Sequence, residues 1–320
     1  MTVCFVKEAV RAEAVVQLPN GGLVISLDPM ANLVMHTLNM YGLLGRHGGG
    51  YLLVENERAK KAVDDAIYKR IAGKERYFGG GSLNLYSPTM EALVMNHQYT
   101  QYPSETSLIQ LAPAPLNEAL QETWESFYRS YWDTNIDRLL DEFRNMDRQM
   151  DWAEMLHRME QVAQSQWHDT MLILAVEATG WSALTWGGNV CIGTLDRNGD
   201  AGFVHEGLHL LIRERWAEDP TIQGFMADRV FKDRFWKSWK AKYEQALVVA
   251  LDAKLRSWPE RYIQRYFEGC QVGELYDVVW PKVRQYVDKP VIPLTELMLG
   301  IIQCCEGQAH HSTGGTESRQ

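Results

Sequence analysis

The chain has 320 residues, 46% of them hydrophobic and 23% charged, with a formal net charge of −9. That apolar content excludes a disordered chain and supports a sizeable core, while the acidic balance excludes a broad electrostatic surface for nucleic acid. No run reaches the length of a membrane-spanning helix, and Met1 to Glu8 carries no secretory pattern, so the expectation is a cytoplasmic protein with no membrane partner. Five cysteines without framework spacing read as reduced thiols.

Residues 14–27 predict a hairpin turning at Asn20-Gly21, and Asp28-Pro29 then caps a helix through residues 31–41. Glycine-rich stretches at 45–50 and 79–81 lack the Lys-Ser/Thr of a phosphate-binding loop and read as connections. His36, His47 and His97 have no metal-ligand spacing. Residues 1–114 together form an N-terminal α+β region.

From residue 115 to 166 the pattern is helical and aromatic. Trp124, Phe127, Trp132, Ile136, Leu139, Leu140 and Phe143 recur at helical spacing, which predicts a core stripe. Residues 170–176 and 189–195 are apolar runs rich in β formers, joined by an irregular connection carrying Trp181, Trp186 and several glycines. Residues 195–202 follow as a turn containing Asn198-Gly199.

The next segment carries the chemistry. Val204-His205-Glu206-Gly207-Leu208-His209 spells His-Glu-x-x-His inside a helical apolar pattern that continues with Leu211 and Ile212. Residues four apart share a helix face, so His205 and His209 can offer two imidazole nitrogens to one metal ion, with Glu206 beside them. In this motif the chain resembles the zincin metallopeptidases.

The resemblance implies an α+β fold with a zincin-like catalytic core over residues 115–258. That core would hold a small mixed sheet with an edge strand, the active-site helix and a downstream glutamate helix. A helical C-terminal lobe would follow over 259–306, and residues 307–320 read from their composition as a disordered tail. The resemblance also implies zinc (Zn2+) as the cofactor, Glu206 as general base, and a peptide or protein substrate. Residues 189–195 would be the sheet edge, pairing with an extended peptide as one wall of a cleft.

The third zinc ligand decides the subclass. The longer metzincin pattern needs glycine at position 212 and histidine at 215, where this chain has Ile212 and Arg215. A gluzincin-like site takes a glutamate from a later helix, and Glu244, thirty-five residues beyond His209, is the candidate. Asp252, Glu218 and Glu260 stay open as competitors, and Asp252 is also a possible carboxylate partner to a histidine. Glu214, five residues past His209, would point away. The gluzincin aspartate four residues after the ligand glutamate is absent, since position 248 is Val248.

The layout is also similar to uncharacterised bacterial families of predicted gluzincin-type peptidases, with an Asp-Pro-initiated helix near the start. Tyr262, Tyr266 and Tyr276 are candidate oxyanion donors that the sequence does not separate. Cys304-Cys305 with His310-His311 read as a core helix end running into a loose tail. Two other function classes stand beside the hydrolase: a zinc-containing protein that binds or regulates without turnover, and a helical interaction protein in which the motif is accidental.

Overall fold

A computed structural model describes residues 12–18, 21–33, 120–121, 124–168, 170–177, 183–187, 190–195, 202–222, 239–288 and 292–313. The chain is mixed α+β and divides into two compact units. Residues 1–151 and 169–203 make the first, and residues 152–168 and 204–320 the second.

The first unit is built on a five-stranded sheet: β1 (Ala12–Leu18), β2 (Gly21–Leu27), β3 (Thr170–Val176), β4 (Ala183–Gly187) and β5 (Val190–Thr194), in the order β1-β2-β3-β5-β4. β2, β3 and β5 run parallel, and β1 and β4 join them antiparallel at the two edges. Composition explains these places. β1 alternates, with Ala14 buried and Glu13, Val15 and Gln17 exposed, as suits a strand with one solvated face. β2 and β3 are almost continuously apolar; Leu23, Ile25 and Leu27, and Met171 to Val176, are buried. Runs buried on both faces belong inside a parallel sheet. The hairpin and the later strands, separate regions in the sequence reading, therefore share one sheet.

Three local expectations differ from the structure. The connection carrying Trp186, read as irregular, contains strand β4. Leu18 pairs with Gly21, so Gly21 already belongs to β2 and the connection is residues 19–20, one position before the expected Asn-Gly turn. Residues 189–195 were expected at the sheet edge, yet β5 is paired on both sides and β4 takes the edge. Cys191 and Ile192, 1% and 0% exposed, make β5 an interior strand.

The helix start at Asp28 forms as the sequence predicts. Asp28 Oδ1 accepts from the backbone N–H of Met30 and Ala31, both at 2.8 Å, and the chain is helical from Pro29 to Leu33. Asn32 Nδ2 donates to the carbonyls of Asp28 and Ala175, while its Oδ1 accepts from the Glu177 N–H at 2.7 Å. The aromatic stripe is core: a π-type turn (Trp124–Tyr128) leads into α1 (Arg129–Gln149), which buries Trp132, Leu139, Leu140, Phe143 and Met146. Tyr131 and Arg138 of α1 both reach the Glu177 carboxylate.

The second unit is helical: α2 (Trp152–Ala163), α3 (Phe203–Glu218, from Val204 onward), α4 (Trp239–Leu255), α5 (Glu260–Gly269), α6 (Tyr276–Asp288) and α7 (Leu294–Thr313). Helix α4 is its centre, touching α2, α5 and α6. Tyr243 and Ala246 to Leu251 are buried around its whole circumference, as expected of a helix apolar on every side. Helices α5 and α6 pack against α4, and α7 packs against α6. Helix α7 also runs through Thr313, into the stretch read as tail, because Gly307 meets no second breaker before Gly314-Gly315.

Among the described residues no helix is long and apolar enough to cross a membrane. The glycine-rich stretches, His36, His47, His97 and the Asn198-Gly199 turn lie outside the described residues.

Candidate metal centre

Helix α3 opens after Gly202, whose φ of 75° lies in the left-handed region that glycine favours. Val204, Leu208, Leu211, Ile212 and Trp216 are fully buried or nearly so, which fixes the rotation of the helix. That rotation also buries the motif: Glu206 and His209 are each 5% exposed, and the His205 side chain 12%. Helix α4 brings Glu244 (4% exposed) and Asp252 (0%) into the same unit. Burying this many polar groups is costly unless each is bonded.

Their bonding is specific. His209 Nδ1 lies 2.7 Å from Glu244 Oε1, and Arg213 Nε donates to the same oxygen at 2.7 Å. The Tyr266 hydroxyl donates to Asp252 Oδ2 at 2.5 Å and lies 2.7 Å from His205 Nδ1. Asp252 Oδ2 is itself 3.4 Å from that Nδ1, and Asp252 pairs with Arg256 at 2.6 Å. Each imidazole is therefore held from behind, His209 by a carboxylate directly and His205 through a tyrosine and a carboxylate.

These partners set the tautomers. A carboxylate oxygen can only accept, so His209 carries a proton on Nδ1. The Tyr266 proton is committed to Asp252, so its oxygen accepts from His205 Nδ1. Both Nε2 atoms then face forward, and both meet the side-chain amide of Gln245: amide nitrogen to His205 at 3.1 Å, amide oxygen to His209 at 3.0 Å. An amide has one donor end and one acceptor end. For both contacts to be hydrogen bonds, one imidazole must hold a second proton, and which one depends on the amide's orientation.

The electrostatics agree with charge being shared here. Burial pulls the His205 pKa down, but the bond to Asp252 and the charges of Glu206 and Asp252 outweigh it, against Arg256, and the net direction is up. Burial would raise Glu244, but its bond to His209 and the charges of His209 and Arg213 leave it lowered. Asp252 is likewise lowered, burial being overcome first by the Arg256 charge and then by His205 and Tyr266. Burial pushes the Cys270 thiol up to about 12 against a hydrogen bond to Gln245, with Asp252 and Glu206 adding to the rise. The thiol stays protonated beside the Gln245 amide.

The structure thus brings His205, Glu206, His209, Glu244 and Asp252 into one cluster, but on different sides of the imidazoles. Glu244, expected at the metal, lies on the Nδ1 side of His209, and Asp252 backs His205. Glu260 pairs with the exposed Arg284, and the side chains of Glu214 and Glu218 lie outside the described residues. Of the tyrosines, Tyr266 lies behind His205, Tyr276 packs edge-on to Phe267, and Tyr262 is 44% exposed.

The donor set fits a metal ion in part. Two imidazoles with Nδ1 anchored and Nε2 converging are suited to one divalent cation. Among the described residues, however, no group of three or more His, Cys, Asp or Glu side chains is arranged to hold one.

Gln245, Arg213, Arg256 and Cys270 were missed by sequence reasoning. Arg213 had a readable signal, being one turn beyond His209 on the same helix face. The role of Gln245 had none, because adjacent residues differ by a rotation that only packing fixes. No protein-family model, curated protein or solved structure matches the chain.

Proposed function

We propose that the chain is a zinc-dependent hydrolase that cleaves peptide bonds, with His205 and His209 holding the metal through Nε2 and Glu206 acting as general base. One observation carries this reading: both Nε2 atoms lie against one side-chain amide, that of Gln245, while both Nδ1 atoms are held from behind, His209 by Glu244 and His205 by Tyr266 and Asp252. Orienting the rings in this way selects the tautomer a metal ligand needs and raises its basicity. Zinc held there would supply a Lewis acid that polarises a carbonyl and acidifies a water.

The chain's own residues do the remainder. Glu206, between the two histidines and felt electrostatically at His205, takes the proton from the attacking water and passes it to the leaving amine. Glu244 and Asp252 keep the imidazoles from rotating. Burial of the cluster limits competing water, which strengthens each charge interaction. The peptide bond as substrate rests on the motif's resemblance.

A second reading, a site that binds or regulates without turnover, is favoured by Gln245, whose amide lies against both Nε2 atoms. Glu206→Gln separates the two. Under the hydrolase reading this variant keeps zinc, measured by mass spectrometry, and loses cleavage of a peptide library. Stoichiometric zinc with no cleavage by the unaltered chain would favour the second reading. No zinc in either protein after reconstitution would leave an interaction protein.

A further inference from the structure

The zinc-hydrolase reading leaves the third protein donor unassigned, and the inference drawn here rests on that reading. Glu244 lies on the Nδ1 side of His209, where its Oε1 is shared between His209 Nδ1 and Arg213 Nε, and it has no contact with either Nε2 among the bonds described. Asp252 is wholly buried behind His205, against Tyr266 and Arg256. Gln245 alone among these α4 side chains contacts both Nε2 atoms.

We propose that Gln245 occupies the third donor position of the metal centre, so that a neutral amide stands where a carboxylate would complete the site. An amide oxygen brings no charge to balance a divalent cation, and zinc sites use thiolate, imidazole or carboxylate donors. The amide also competes with the metal, because it contacts the same two Nε2 atoms. The centre therefore binds zinc weakly and reversibly, and Gln245 returns to the histidines when the metal leaves. The carboxylates behind the rings tune affinity without touching the ion.

The test uses the full chain and zinc chloride titrated against a chromophoric chelator, with cobalt(II) absorption as an independent report on the donor set. Gln245→Glu should bind zinc at least about tenfold more tightly than the unaltered chain, and should change the cobalt spectrum. Glu244→Gln should weaken binding by about 10- to 100-fold without changing the number of donors, as expected of a residue acting through His209. Gln245→His offers an imidazole donor should the glutamate variant fail to fold, and circular dichroism reports folding of each.

Three results overturn one idea or the other. If Gln245→Glu binds no more tightly while His205→Ala still abolishes binding, Gln245 is not the donor position and the two-histidine centre stands. If the unaltered chain takes up no zinc and Gln245→Glu takes up one, the donor position is upheld and the hydrolase reading of the natural chain falls. If folded Gln245→Glu and Gln245→His both bind none, the donor position and the metal centre fall together.

Discussion

The two units each bury a polar cluster, and the clusters end differently. In the sheet unit, Asp28 and Asn32 bond main-chain groups: the N–H of Met30, Ala31 and Glu177 and the carbonyls of Asp28 and Ala175. Main-chain positions are set by the sheet and the helix start, so this cluster has one arrangement and completes the fold. In the helical unit, His205, His209, Glu244, Gln245, Asp252 and Tyr266 bond side chain to side chain. Two of its imidazole nitrogens, both Nε2, lie against the one amide of Gln245. A network that closes on backbone holds structure together, whereas under the proposal one that closes on a side-chain amide can exchange it for a ligand.

The largest test of that contrast is Glu206→Gln. It should lower hydrolysis by about 10²- to 10⁴-fold, the usual contribution of a general base, with zinc content unchanged. Peptide-cleavage rates measured beside metal content check it. A variant that loses zinc and activity together would instead make Glu206 a structural member of the cluster.

Asp252→Asn comes next. It leaves Arg256, whose side chain is 11% exposed, without its carboxylate, and breaking a buried pair from one side costs on the order of 3–5 kcal/mol. Urea unfolding should register that loss. The same carboxylates predict an acid limb. Glu244 and Asp252 both have folded pKa values below their ordinary ones, so they contribute stability at pH values above the unfolded carboxylate range. That contribution should disappear as pH falls below about 4. Asp252→Asn should flatten the limb, and an unchanged limb would place the acid-sensitive groups elsewhere.

The sheet unit supplies the matching test. Asn32→Ala removes the partners of the Ala175 carbonyl and the Glu177 N–H, at a cost of about 1–3 kcal/mol. Thermal unfolding should shift downward while zinc affinity stays at its unaltered value. Coupled loss of zinc would mean that the sheet cluster helps to build the metal centre, and the contrast between the two units would fail.

What the sequence made legible follows the same division. Period-2 and continuous apolar runs reveal β1, β2 and β3, and Asp28-Pro29 marks a helix start, because these signals depend on neighbours in the chain. The five-residue β5 run was also visible, but its place inside the sheet was not, since pairing with β3 and β4 is a long-range choice. His205, Glu206 and His209 were readable because one helical turn relates them. Glu244 was found as a carboxylate on a buried helix, but its Nδ1 side, and the position of Gln245, depend on how α4 is rotated. The end of α4 was hidden for another reason. Helices commonly stop at glycine in the left-handed conformation, and here Ser257 takes that place with φ 56°.

That serine gives the smallest and most local prediction. The N–H of Ser257 bonds the Lys254 carbonyl at 3.0 Å, and the Trp258 N–H bonds that of Ala253 at 2.9 Å, the pattern of a left-handed helix stop. The turn lays Trp258 against Tyr266 at 4.7 Å, with Arg256 stacked over Trp258, so it lies just behind the His205 support. Ser257→Gly relieves roughly 1–2 kcal/mol of left-handed strain and gives back about 0.5–1 through the greater freedom of the unfolded chain. The net expectation is a gain of about 0.5–1 kcal/mol, read by thermal unfolding, with zinc affinity unchanged. A variant less stable and weaker in zinc would mean that the serine side chain itself holds the turn. The end of α4 would then belong with the side-chain network around His205 and His209 rather than with the backbone.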